Sequence, residues 1–102
     1  MTFEELYAII QERAKSSTEG SYTASLMKEG IDRVAQKVGE EAIEVVIASK
    51  NDDKALLVGE MADLVYHLLV LMNLKDVSLT DIQQLLAERH MKLSSTNVRE
   101  IK

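Results

Sequence analysis

The segment from the Lys50-Asn51-Asp52-Asp53 turn to about Leu74 is apolar on nearly every side when wound as a helix. Such a helix has no wide polar face to leave in water, so it belongs at the centre of a bundle. The rest of the chain must supply its walls. Little else interrupts helix formation, since the sequence holds no Pro and only four Gly. No stretch alternates apolar and polar residues as a half-buried strand would. The expected fold is therefore all-α, a four-helix antiparallel bundle forming a single domain over residues 1–102. A domain of this size buries only ~60–65% of its unfolded surface. Four modest helices can hardly enclose the central one, so homodimerisation is expected to complete the core; a monomeric bundle is the simpler alternative.

Local signals set the boundaries. Thr2 followed by Glu5 has the form of a capping box. Phe3, Leu6, Tyr7, Ile10 and Ala14 then recur at helical spacing, which predicts a first helix over about Phe3 to Lys15. The run Ser16 to Ser21 reads as a loop. Thr23 can cap a short helix over Ala24 to Glu29, which Gly30 would stop. A long helix follows from Ile31 to Ser49, and Asp52 or Asp53 can cap the central apolar helix. Ser78 with Asp81 resembles a cap for a last helix over Leu79 to Met91, and the polar tail from Lys92 to Lys102 is expected to be mobile.

Composition excludes several kinds of chemistry. Without Cys there are no disulfides, thiolate metal sites or Cys nucleophiles. A formal charge of −5 argues against nucleic acid as a partner, though not against one small anion held through metal ions. No basic, then apolar, leader is evident at the N-terminus. The longest apolar run, Leu64 to Leu74, is shorter than the ~20 residues of a membrane span. A cytoplasmic protein with no membrane partner is expected. Glycine-rich phosphate loops, nucleophile turns and helical zinc pairs are likewise missing from the sequence.

The informative feature is acidic. Lys37, Glu40, Glu41 and Glu44 fall within an arc of about 100° on one helix. Val34, Val38, Ala42 and Val45 border this stripe on one side, and Ile43 and Ile47 on the other. A solvated charge face would lie opposite the apolar face; this one runs between apolar borders, as if facing a groove. On the central helix Glu60 and Asp63 share a face, with His67 one turn beyond. In an antiparallel hairpin, the pairs Glu44–Glu60, Glu41–Asp63 and Lys37–His67 fall level, all centred on the Lys50–Asp53 turn. Any one of these acids is most simply a surface charge. Together they could not converge in an apolar groove without protons or a cation, because desolvation costs several kcal/mol per ion. An all-carboxylate donor set selects a hard cation, Mg²⁺ or alternatively Mn²⁺.

Other residues carry weaker signals. His67 alone is commonly a satisfied core histidine, and Lys37 could hold a phosphate or pair with a carboxylate. Arg33 and Lys28 could contact phosphate or merely be solvated, and Arg89-His90 reads as surface charge. Gly39 and Gly59 cost ~1 kcal/mol each inside helices, which suggests close backbone approach beside the acids. The five Met read as core filler.

The pattern Glu40-Glu41-x-x-Glu44 followed by Glu60-x-x-Asp63 resembles the signature of the MazG-type all-α nucleoside triphosphate pyrophosphohydrolases. Ser21-Tyr-Thr-Ala-Ser-Leu26, Gly30-Ile-Asp-Arg33, Lys37-Val-Gly-Glu-Glu41 and Asp63-Leu-Val-Tyr-His-Leu-Leu69 narrow the resemblance to the phosphoribosyl-ATP pyrophosphohydrolase family of histidine biosynthesis, over about Phe3 to His90. The resemblance implies Mg²⁺-dependent hydrolysis of 1-(5-phosphoribosyl)-ATP to phosphoribosyl-AMP and pyrophosphate by an α-helical homodimer. It implies metal ligation by Glu41, Glu44, Glu60 and Asp63. Glu40 would be a general base or a residue orienting the ligands, and Glu41 is a further candidate for the catalytic role. Lys37, Arg33, Ser21, Tyr22, Thr23 and His67 are the candidate substrate contacts. Some relatives are fused to a cyclohydrolase; at this length a separate subunit is expected. The ending after His90 is less basic than is common in the family. Two other readings use the same residues: a pyrophosphohydrolase that cleans the nucleotide pool, and a non-catalytic helical module with a structural cation.

Overall fold

In a computed structural model, which describes residues 1–15 and 21–93, all regular structure is helical: α1 (Phe3–Lys15), α2 (Tyr22–Glu29), α3 (Ile31–Ala48), α4 (Lys54–Leu74) and α5 (Leu79–Leu93). Residues 16–20, most of the expected loop, and 94–102, most of the expected tail, lie outside the described residues.

The boundaries follow from side chains that satisfy the first free N–H groups of each helix. Thr2 and Glu5 exchange hydrogen bonds at α1: the Thr2 N–H donates to Glu5 Oε1 at 2.9 Å, and the Glu5 N–H to Thr2 Oγ1 at 3.0 Å. Ser78 and Asp81 do the same ahead of α5, at 2.9 and 3.0 Å. Asp53 caps α4 by accepting from the Leu56 N–H at 3.1 Å. The cap of α2 differs from expectation. Ser21 accepts from the Ala24 N–H, so the helix begins at Tyr22, and Thr23 is a buried residue inside the first turn. Gly30 ends α2 and opens α3 with φ +90°, a conformation that favours glycine, and its N–H closes on the Leu26 carbonyl at 3.1 Å.

The α3–α4 hairpin is the frame, and α1 and α2 pack against it. Tyr7 and Ile10 of α1, Leu26 of α2, Val34 of α3 and Leu69, Val70 and Met72 of α4 form the core. Burying Ile10, Leu26, Val34 or Val70 contributes ~1.5–3 kcal/mol each. The Tyr7 phenol also donates to the Val77 carbonyl at 2.6 Å, tying α1 to the turn after α4.

The expectation of a centrally buried apolar helix holds for only part of α4. Its buried residues are His67, Leu69, Val70 and Met72, all in the C-terminal half. Leu56, Val58 and Met61 in the other half are exposed, as are Ile43, Val46 and Ile47 on α3 beside them. The last helix departs from a closed bundle too: Ile82, Leu85 and Leu86 of α5 are exposed, and an apolar groove of about 410 Å³ opens between Ile82 and Leu68, Leu71 and Met72. The physical reason is a shortage of covering elements, since α1 and α2 reach only one end of the hairpin. The Cα radius of gyration is 15.8 Å, against ~13 Å for a compact chain of about this length.

Candidate active site

The hairpin register brings acids from two helices together. Oxygens of Glu41 on α3 and of Glu60 and Asp63 on α4 lie within 4.8 Å of one another. Glu41 and Glu60 are half-buried at the edge of the apolar contact, while Asp63 is exposed. The Glu60 carboxyl is pushed above its ordinary range, first by desolvation and then by the negative charges of Glu41, Glu44 and Asp63; a hydrogen bond with Glu41 adds to the shift. Glu44 is therefore within electrostatic reach, though outside the tightest group.

One cation of the chain answers part of this charge. Lys37 Nζ lies 3.5 Å from Glu41 and 4.0 Å from Glu40. Both pairings run along α3, at i,i+4 and i,i+3. Of the two readings open for Lys37, the carboxylate pairing is the one seen here. Glu40 itself is exposed and turned to the Lys37 side of the stripe. The donor set fits a divalent hard cation: its oxygens converge from two rigid helices, and three carboxylates meet there with Lys37 paired to one of them.

Beside the acids lies an aromatic cluster. His67 is buried, with Nδ1 2.7 Å from the Asp63 main-chain carbonyl and Nε2 2.9 Å from the Tyr22 phenol. A carbonyl only accepts, so Nδ1 carries a proton. In the neutral ring Nε2 then accepts from the Tyr22 O–H. His67 thus bonds to the backbone of Asp63, not to its carboxylate. Tyr22 stacks on Tyr66 with ring centroids 6.0 Å apart and planes 25° from parallel, and His67 meets both rings edge-on. The Tyr66 hydroxyl is hydrogen-bonded to Thr23 Oγ1.

The remaining candidates are placed less centrally. Ser21 spends its oxygen on the α2 cap, and the Thr23 side chain is buried against Tyr66. Arg33 lies 3.8 Å from Glu29 in an exposed pair. Gly39 and Gly59 are corrected: a Cβ at either position would meet nothing within 4 Å, so neither is a point of close approach among the described residues. Tyr66, part of the Asp63–Leu69 motif, is not among the site residues expected from the sequence. Its signal was present, because the chain has only four aromatic residues and Tyr66 directly precedes His67.

Comparison with known proteins gives the same direction. Residues 3–90 match the family described as phosphoribosyl-ATP pyrophosphohydrolase. The chain is 50% identical over 96 residues to the phosphoribosyl-ATP pyrophosphatase of Listeria welshimeri, covering 94% of this chain and 92% of that one. It is 48% identical over 88 residues to the phosphoribosyl-ATP pyrophosphatase of Clostridium acetobutylicum, covering 86% and 80%. It is 54% identical over 88 residues to the histidine biosynthesis bifunctional protein HisIE of Lactococcus lactis, covering 86% of this chain but 42% of that longer protein. With a match that spans nearly all the described helices and both acidic motifs, the chain belongs to the phosphoribosyl-ATP pyrophosphohydrolase family.

Proposed function

We propose that this protein hydrolyses the α–β phosphoanhydride of 1-(5-phosphoribosyl)-ATP, releasing phosphoribosyl-AMP and pyrophosphate, as the second step of histidine biosynthesis. As a member of its family it is a hydrolase of a phosphoanhydride bond. The observation that carries the reading is the convergence of Glu41, Glu60 and Asp63 within 4.8 Å, inside the stretch matched to the family.

Glu41, Glu60 and Asp63, with Glu44 beside them, would hold Mg²⁺, or alternatively Mn²⁺. A divalent cation so held would supply charge neutralisation at the phosphates and a lowered pKa for a bound water. The protein's part is to hold the carboxylates in place, while the cation would offset the desolvation and mutual repulsion that raise Glu60. Lys37 pairs with Glu41 and can turn its charge to a phosphate oxygen when the cation takes over that carboxylate. Glu40, exposed beside Lys37, would take a proton from water or steady the ligands. Arg33 and the Ser21–Thr23 turn are the candidate readers of the ribose phosphate.

We further read the active form as a homodimer, in one domain and in the cytoplasm. The exposed Ile43, Val46, Ile47, Leu56, Val58 and Met61 leave apolar side chains of the hairpin uncovered, and a second copy related by two-fold symmetry would cover them. Gly39 and Gly59, open among the described residues, would then meet the partner's helices. The α4 helix has the length and hydropathy of a membrane span. Its Glu60, Asp63 and His67 favour a core helix instead, because charged groups are costly in hydrocarbon.

The test is pyrophosphate release with Mg²⁺ from phosphoribosyl-ATP beside a panel of ordinary nucleoside triphosphates. Strong preference for phosphoribosyl-ATP is expected. Activity confined to ordinary triphosphates would reassign the enzyme to nucleotide-pool cleaning, and no release from any of them would favour a non-catalytic module.

A further inference from the structure

We propose that the ring of Tyr22 is the platform on which the substrate's purine stacks, and that His67 is the positioning residue that holds it there. This rests on the reading of the acids as the phosphate end of a nucleotide site.

Three observations meet at Tyr22. Its side chain is half exposed although Tyr66 lies against one side of its ring, so the ring is braced but not enclosed. Its hydroxyl is fixed by His67 Nε2 at 2.9 Å, which removes the freedom a surface tyrosine would otherwise lose on binding. His67 is in turn fixed by the carbonyl of Asp63 at 2.7 Å, so the ring's position is referred to the turn of α4 that carries a candidate metal ligand. His67 lies one helical turn beyond Asp63, ~6 Å along the axis. A nucleotide whose α-phosphate lies at the acids and whose ribose bridges this interval brings its base to Tyr22. Stacking on an aromatic ring suits a purine because both offer flat π-faces. The hydrogen bond from buried Thr23 to Tyr66 fixes the second ring behind the first.

Tyr7 is hydrogen-bonded far from the site, at Val77, and there is no Trp, so tyrosine emission reports largely on the Tyr22–Tyr66 pair. Titration with adenosine 5′-monophosphate should quench this emission saturably, and ribose 5-phosphate should not. Tyr22→Leu should weaken binding of the monophosphate ~10-fold, the size expected for one base–aromatic stack. It should raise KM for phosphoribosyl-ATP by a similar factor, with a smaller change in kcat. Tyr22→Phe should restore part of the affinity, because it keeps the ring, and its remaining shortfall against wild type reads what the bond to His67 contributes by holding that ring; affinity equal to wild type would remove His67 from the positioning role. Inhibition by pyrophosphate, which has no base, should be the same in all three proteins. Equal binding of adenosine monophosphate by wild type and Tyr22→Leu would overturn the proposal. So would equal weakening of adenosine monophosphate and pyrophosphate, which would mark Tyr22 as merely structural. If the wild type bound the monophosphate as described but released no pyrophosphate from any nucleotide, the hydrolytic reading would fail and the purine platform would stand.

Discussion

The two halves of the α4 helix are both apolar and meet different environments. From His67 onward, α1 and α2 lie against it, and His67, Leu69, Val70 and Met72 are buried. Before Glu60, Leu56 and Val58 are exposed, as is Met61 just beyond, and none of the buried core residues among the described residues lies in this half. Burial along this helix is thus set by what the rest of the chain supplies, not by the hydrophobicity of the segment itself. The candidate site lies at the border of the two halves. There Glu41 and Glu60 are partly desolvated, which strengthens their fields, while the exposed Asp63 leaves the cluster open to solvent and substrate.

The largest expected effect is at that border. Asp63→Ala should lower Mg²⁺-dependent pyrophosphate release on the order of 100-fold or more, with an unchanged helical circular dichroism spectrum. A well-folded variant with a near-normal rate would remove Asp63 from the site.

Next comes the open half. If a second copy covers it, Ile47→Glu should raise the dimer dissociation constant at least ~10-fold by sedimentation equilibrium, since truncated or charged interface anchors commonly cost ~1.4 kcal/mol or more. A matched change on the exposed α5 surface, Leu86→Glu, should do less. Equal effects, or a wild-type monomer, would break the contrast drawn between the ends.

A smaller change is expected at Lys37. Lys37→Met should raise KM for phosphoribosyl-ATP by roughly 10-fold or less, as loss of one charge-assisted phosphate contact. If only stability changed, Lys37 would belong to the ion pair alone.

The smallest effect concerns pH. The folded protein without metal holds the Glu60 proton more tightly than the unfolded chain does. That contribution to stability is fully present below the ordinary value of 4.5 and is lost as pH rises through the raised folded-state value. In chelator at neutral pH, Glu60→Gln should therefore raise Tm slightly, and Mg²⁺ should stabilise the wild type more than the variant. Thermal melts at several pH values read both.

Much of this was legible in the sequence for local reasons. Thr2–Glu5, Asp53 and Ser78–Asp81 mark helix starts through side-chain oxygens three residues from the N–H groups they accept or answer. The hairpin register follows from a four-residue turn between two long helices, which sets Glu44 level with Glu60 and Glu41 level with Asp63; in the structure Glu41, Glu60 and Asp63 meet and Glu44 lies outside the tightest group. What failed depends on long-range contact. Thr23 looked like a cap because nothing in the sequence shows that Tyr66, on another helix, takes its hydroxyl. Gly39 and Gly59 suggested close approach, but which chain approaches is not written locally. The Tyr22–His67 bond joins residues 45 positions apart and appears only once α2 is docked.

The most direct test of the central claim, that the acids at the hairpin border form a divalent-cation site, is electron paramagnetic resonance of Mn²⁺ titrated into the wild type and into Asp63→Asn. Saturable binding by the wild type, displaced by excess Mg²⁺ and lost or strongly weakened in the variant, is expected. Binding of equal strength in both proteins, or none in the wild type, would contradict it.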